Sequence, residues 1–202
     1  QNKTAIVLVP EISLTPQTVQ RFRQRFGDEV AVLHSRLSAG ERYDEWKSIL
    51  EGRRHLVVGA RSAVFAPIPR LGLIIIDEEH DSAYRSETQP RYSTAQIARM
   101  RCENERAVVV LGSATPDIET FYDCKNGVYE LLELPERING NMPQIQLVDM
   151  RDELLRGNRT MFSGALFAAM RDCISNGEQM MLFLNRRGYA PFILCRGCGF
   201  TF

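Results

Sequence analysis

Residues 71–76 read Leu-Gly-Leu-Ile-Ile-Ile and run straight into Asp77-Glu78-Glu79-His80. An apolar stretch without polar alternation has no face to offer water, so it needs cover on both sides, as a strand inside a parallel sheet receives. The same reading applies to residues 5–9, 30–33, 55–58 and 108–111. Between these strands lie amphipathic stretches with helix-start signals: residues 16–26 behind the N-cap Thr15 with Pro16 in the first turn, residues 39–51 behind Ser38, and residues 94–105. Residues 81–92 read as a loop. Strand and helix in alternation predict an α/β fold, a mostly parallel sheet flanked by helices.

A second phase begins near Leu134. Residues 135–143, with Asn139, Gly140 and Asn141 between two prolines, read as a linker. Beyond it the pattern predicts a strand over 145–148, a polar loop, a helix over 164–175 and a strand over 180–184. The 25 Lys and Arg balance 25 Asp and Glu, which leaves no polybasic arm and no bulk electrostatic pull toward nucleic acid or a membrane. No apolar run approaches the roughly 20 residues of a membrane span, so no membrane partner is expected. The chain starts at Gln1 rather than Met and stops at Phe202, just past Cys198, as an internal fragment of a longer protein would. Five cysteines without an even framework point to a reducing, cytoplasmic setting. Cys102, Cys124 and Cys173 fall singly in predicted helices and read as small buried hydrophobes.

In an open parallel sheet, ligands bind at the carboxyl ends of the strands. The segments placed there are Pro10-Glu11-Ile12-Ser13-Leu14-Thr15-Pro16-Gln17, Gly59-Ala60-Arg61-Ser62-Ala63, Asp77-Glu78-Glu79-His80 and Gly112-Ser113-Ala114-Thr115-Pro116. All are polar or small, and all should line one edge. An aspartate such as Asp77 at the end of a buried strand is placed to hold Mg²⁺ on a nucleoside triphosphate through water, because hard Mg²⁺ prefers oxygen ligands. The neighbouring Glu78 can orient, or take a proton from, the water that attacks the terminal phosphate. His80 would pass the state of that site to the next loop. Alone, Asp77-Glu78-Glu79-His80 reads equally well as a solvated turn. The neighbouring Gly112-Ser113-Ala114-Thr115, with two hydroxyls and a backbone open to close approach, favours a site.

The pair of strings resembles motifs II and III of superfamily 2 helicases. Longer strings narrow the resemblance to the PriA family of primosomal replication-restart DNA helicases: residues 8–17, then His34-Ser35 with Leu37-Ser38 and Glu41-Arg42, then Arg61-Ser62-Ala63-Val64-Phe65-Ala66-Pro67, then Leu184-Asn185-Arg186-Arg187-Gly188-Tyr189-Ala190-Pro191, in the family's order. The resemblance implies an ATP-driven 3′-to-5′ DNA helicase that uses Mg²⁺, acts on forked and single-stranded DNA, and works with other primosome proteins and single-stranded-DNA-binding protein. It implies a RecA-like first lobe, without its phosphate-loop start, over residues 1–134. An inter-lobe segment over 135–160, the start of a second RecA-like lobe over 161–194 and a truncated Cys-rich zinc insertion over 195–202 would follow.

Carried onto matching positions, the resemblance gives Asp77, Glu78, Glu79 and His80 catalytic roles and makes Gly112, Ser113, Ala114 and Thr115 the link from hydrolysis to DNA movement. Pro10, Glu11, Thr15, Gln17 and Arg61 would lie against the DNA. Tyr84, Arg85, Arg91 and Tyr92 resemble the family's aromatic-rich loop, where aromatic faces stack bases and arginines meet phosphates. Ala60 stands where the family usually has Thr, and Pro90 where some members have an aromatic. Cys195-Arg196-Gly197-Cys198 has the spacing of half a zinc knuckle or of a redox pair; the resemblance favours Zn²⁺.

Other features read blandly. Arg21, Arg23 and Arg25 form a solvated helix face, and Trp46 has core-like spacing with Tyr43 and Leu50. His34 and His55 read as hydrogen-bonded structural histidines. No Gly-rich loop ending in Gly-Lys-Ser/Thr occurs in the chain, so the chain alone is expected not to hydrolyse ATP. Two other functions stay open: a non-hydrolysing nucleic-acid-binding module, and another superfamily 2 DNA translocase or RNA helicase.

Overall fold

The computed structural model describes residues 3–136 and 143–183. They belong to two units, 1–133 and 134–202, each treated by itself.

The first unit is built on five strands: β1 (Thr4–Leu8), β2 (Val30–Leu33), β3 (Leu56–Gly59), β4 (Leu71–Asp77) and β5 (Val108–Gly112). They pair in the order β2-β3-β1-β4-β5, all parallel. Every strand therefore ends on the same edge. The chain leaves β1 for the far edge, returns through β3, then crosses to β4 on the other side of β1, which puts a switch in strand order beside the carboxyl end of β1.

Helices cover the two faces. α1 (Pro16–Phe26) starts on the Thr15 hydroxyl, which accepts the Thr18 N–H, has proline at its first position, and stops at Gly27 with φ 61°. α2 (Ala39–Leu50) starts with a capping box: the Ser38 hydroxyl accepts the Glu41 N–H while the Glu41 carboxylate accepts the Ser38 N–H. Hydrogen bonds from Ser38 hold the Glu41 carboxyl below its ordinary pKa. α3 (Thr94–Glu105) ends in the left-handed residue Arg106, and a short α4 (Ile118–Lys125) follows β5.

On one face Ile6, Leu8, Ile74 and Ile76 pack with Ile49 of α2 and with Ala98 and Cys102 of α3. On the other, Val9, Val30, Val32, Leu56 and Val58 pack with Leu14 and with Val19 and Phe22 of α1. Among the described residues the second face is covered only over half the sheet. Val108 is 60% and Val110 44% exposed, so the two-sided burial expected of residues 108–111 holds on one side among the described residues. Val109 and Leu111 alternate inward onto the first cluster.

The expected core role of the α2 stripe is also corrected. Tyr43, Trp46 and Leu50 are exposed, because the sheet beneath α2 receives Ile49 instead. In the second unit the predicted helix forms as α6 (Gly164–Ser175), preceded by α5 (Met150–Leu155) where a loop was expected. The Glu153 carboxylate ties the two by accepting from the Asn158 side chain and the Gly164 N–H, both at 2.7 Å. Residues 145–148 and 180–183, expected as strands, are not strands; a strand needs a neighbour, and none is present for them among the described residues. The string 184–191 and Cys195 and Cys198 lie outside the described residues.

Candidate functional site at the carboxyl edge of the sheet

Asp77 closes β4 opposite Gly112 of β5. Its exposed carboxylate accepts only the Glu78 N–H, at 3.1 Å, among the described residues. A Cβ built on Gly112 would stand 3.8 Å from Asp77 Oδ1, so glycine keeps that flank of the carboxylate open. Glu78 sits at φ 50°, a conformation that costs a non-glycine residue on the order of 1–3 kcal/mol. The bend sends successive side chains to different places: Glu78 is exposed and Glu79 is buried.

The Glu79 carboxylate accepts the Asp117 N–H at 2.7 Å and the Thr120 hydroxyl at 3.1 Å. That occupies it at the start of α4, where the helix dipole favours negative charge. Glu79, expected beside Asp77 and Glu78 in a catalytic role, thus points into α4 rather than to the open strand end. His80 Nδ1 lies 2.6 Å from Ser113 Oγ and 3.6 Å from the Glu78 carboxylate. Ser113 Oγ also accepts the Thr115 N–H at 3.0 Å. The loops after β4 and β5 are thus joined at their tips, while the Glu79 N–H, donating to the Gly112 carbonyl at 3.0 Å, joins them at the base. Ala114 and Thr115 are exposed beyond this joint.

The loop over residues 81–92 differs from its expected part at Tyr84 and Arg85. Tyr84 is 4% exposed and donates its hydroxyl to the Asp77 carbonyl at 2.9 Å, so little of its ring is open for stacking. Burial, and then the carboxylates of Asp77, Asp81 and Glu78, push its phenol above the ordinary tyrosine pKa. Arg85 is committed to Asp117 at 2.5 Å and to Glu119 at 3.4 Å. The Asp117 hydrogen bond raises the pKa of the guanidinium, and the same contact holds the Asp117 carboxyl below the usual carboxylate range. Arg61 donates to the carbonyls of Ala83 and Arg85 at 3.3 and 2.8 Å and lies 5.8 Å from the Tyr92 ring centre. It clamps the loop and also borders the cavity at the ends of β1, β2 and β3. Arg91 is exposed and makes no hydrogen bond or ion pair among the described residues.

At the ends of β1, β2 and β3 the surface opens into a cavity of about 570 Å³. Pro10, Glu11, Arg61 and Tyr92 line it, together with Trp46, Phe65 and His34, which sequence reasoning had set aside or quoted without a role. Glu11 accepts the Ser35 hydroxyl. Thr15 is spent on capping α1, and Gln17 is exposed in the first turn of that helix. Asp117 stands at the N-cap position of α4, but its side chain makes no capping hydrogen bond and pairs with Arg85 instead, a partner no local sequence signal announces. Among the described residues no group of three or more metal-binding side chains converges, and no helix is long and apolar enough to cross a membrane.

In sequence the chain resembles known helicases. The family model described as DEAD/DEAH box helicase matches residues 1–123. The chain is 56% identical over its whole length to the replication restart protein PriA of Bacillus subtilis (strain 168) and 47% identical to that of Synechocystis sp.. It spans about a quarter of the length of these curated relatives, 25% of each. Among solved structures, the C-terminal domain of S. cerevisiae Dbp5 L327V, bound to Gle1 H337R and IP6, superposes with a TM-score of 0.43 at 18% identity, over 63% of this chain and 71% of that one.

Proposed function

The chain belongs to the DEAD/DEAH box helicase family, and on that premise we propose that it is part of an ATP-dependent 3′-to-5′ DNA helicase that restarts stalled replication forks. The observation that carries the mechanism is the joint between His80 and Ser113, 2.6 Å apart. It links an acidic strand end to a hydroxyl-bearing one, the arrangement a motor needs if hydrolysis is to move something else. The open carboxylate of Asp77, flanked by Gly112, fits a hard cation. Mg²⁺ held there with a nucleotide would neutralise charge on the phosphates.

The rest is done by this chain's own groups. Glu78, exposed beside Asp77, orients the attacking water and takes its proton. His80 hydrogen-bonds Ser113 and follows the position of Glu78. Glu79 holds Asp117 and Thr120, so that α4 moves with the acidic loop. Arg85 on Asp117 carries the same displacement into the loop over 81–92, and Arg61 carries it on to the cavity at the ends of β1, β2 and β3. Arg91, Tyr92, Gln17 and Glu11 lie on or near that route as the DNA-facing set. The proposal extends to forked and single-stranded DNA as substrate, to primosome proteins and single-stranded-DNA-binding protein as partners, and to the cytoplasm as location. A zinc site at Cys195 and Cys198 would need a further thiolate pair. With no Gly-Lys-Ser/Thr phosphate loop in its sequence, the chain alone binds DNA without hydrolysing ATP.

The test replaces Glu78 by Gln in the full-length helicase. DNA-stimulated ATP hydrolysis should fall by about 10²- to 10⁴-fold, the usual worth of a general base, while the nucleotide still binds. Undiminished hydrolysis would overturn the assignment.

A further inference from the structure

The cavity at the ends of β1, β2 and β3 carries three chemistries. At about 570 Å³ it has the size of a small-ligand site. Trp46, Phe65 and Tyr92 give it aromatic surface, and Phe65 meets Tyr92 edge-on with ring centres 5.2 Å apart. Trp46 is 38% and Phe65 45% exposed, which leaves aromatic surface open in the concave lining. Arg42 and Arg61 bring positive charge to the same lining, against one carboxylate, Glu11, which already accepts the Ser35 hydroxyl. His34 adds a ring nitrogen, Nδ1, that is buried without a hydrogen-bond partner among the described residues, an arrangement that proteins rarely leave standing.

A ligand that satisfies this lining has a flat π-face, a hydrogen-bonding edge and negative charge alongside. An aliphatic occupant would use the aromatics and leave the arginines and His34 unanswered. We propose that the cavity takes an unstacked base of single-stranded DNA, stacked on its aromatic lining with Trp46 as the principal platform, while the adjoining phosphates meet Arg42 and Arg61. The proposal rests on the reading of the chain as part of a DNA helicase and adds to it a base-holding subsite. Stacking tolerates any sequence, since every base has a π-face, which suits a motor that must travel over all of them.

The subsite also explains why Arg61 is clamped. Its guanidinium reaches Tyr92 on one side and the carbonyls of Ala83 and Arg85 on the other. A base entering beside Tyr92 therefore acts on the loop whose Arg85 holds Asp117, and the cavity becomes the point where DNA occupancy is felt by the acidic site.

Trp46 is the sole tryptophan of the chain, so its emission reports on this cavity alone. The 202-residue chain is titrated with an oligothymidylate of about 15 nucleotides and with an abasic oligomer of the same length and charge. Binding is followed separately by anisotropy of a dye on the oligomer, on this chain and on the full-length helicase. Thymidylate should quench Trp46, and the abasic oligomer should bind without quenching. Trp46→Ala should weaken thymidylate binding on the order of 5- to 100-fold, the alanine-scanning effect of one stacked base, and leave abasic binding unchanged; Trp46→Phe should restore most of the loss. Equal quenching and equal affinity for the two oligomers would overturn the subsite and leave the DNA reading intact. If neither the chain nor the full-length protein binds either oligomer, the DNA reading falls and the subsite with it.

Discussion

His80 Nδ1 and Ser113 Oγ stand 2.6 Å apart, so the loops after β4 and β5 are joined by a bond that can break while the ladder beneath it, Asp77 against Gly112, stays paired. A contact of that kind suits coupling better than chemistry. In the full-length helicase, His80→Ala and Ser113→Ala should leave ATP hydrolysis measurable and lower strand separation per ATP by about 2- to 12-fold, the worth of one hydrogen bond. Paired unwinding and hydrolysis assays check it. Equal loss of both activities would assign the contact to the chemical step.

Glu79 should behave as a structural carboxylate. It is 8% exposed and accepts from the Asp117 N–H and the Thr120 hydroxyl. Glu79→Gln can keep the Asp117 N–H on its carbonyl oxygen and turn its amide to the Thr120 hydroxyl, so it exchanges charge-assisted bonds for neutral ones at a cost of about 0.5–1.5 kcal/mol. Thr120→Val removes one partner and should cost about 1 kcal/mol. Urea midpoints measure both, and the double variant should cost less than the sum, since the two residues share a bond. Additive losses would mean that the contact contributes nothing.

What the sequence made legible is what is written in runs. The five strands stand out because apolar stretches end abruptly at polar or small residues, as Ile76 does at Asp77 and Leu111 at Gly112, and parallel pairing then gathers those endings on one edge. What was illegible depends on partners far along the chain. Arg85 reads as a free cation until Asp117, 32 residues on, is placed beside it. Tyr84 reads as a loop aromatic until its hydroxyl meets the Asp77 carbonyl. Trp46 shares a helical stripe with Tyr43 and Leu50, but the spacing of a stripe does not say whether a sheet lies beneath it. Residues 145–148 and 180–183 have strand-like composition and no strand to pair with among the described residues, and composition alone cannot supply one.

The pair of Arg85 and Asp117 makes an electrostatic prediction that separates it from Arg91. Because Arg85 is spent on carboxylates, Arg85→Ala should leave the salt dependence of single-stranded DNA binding unchanged. Arg91→Ala should lower the slope of log K against log salt by about 0.7, the value for one phosphate on a single strand. The bridge is largely exposed, so its own contribution to stability is about 0.2–1 kcal/mol. Asp117 is depressed below the ordinary carboxylate pKa of about 3.9 by its hydrogen bond to Arg85. Its contribution is therefore complete above that pH and lost only as pH falls further, through the folded-state value. A smaller salt slope in Arg85→Ala would return this residue to the DNA-facing set.

Tyr84 gives the opposite pH signature. Burial first, and then the Asp77, Asp81 and Glu78 carboxylates, push its phenol up, so the folded chain holds that proton more tightly than the unfolded chain, whose tyrosines titrate near about 10. The resulting stability is complete below that pH and declines as pH rises beyond it, because only the unfolded state releases the proton there. Tyr84→Phe removes the 2.9 Å hydrogen bond to the Asp77 carbonyl and should cost about 0.5–1.5 kcal/mol at neutral pH. The backbone of residue 84 should hold its place, since the Thr94 hydroxyl still donates to its carbonyl at 2.8 Å. The gap between Tyr84→Phe and the parent, read from urea midpoints, should narrow as pH climbs above about 10. A gap that stays constant would mean that the phenol is not the group holding the Asp77 strand end.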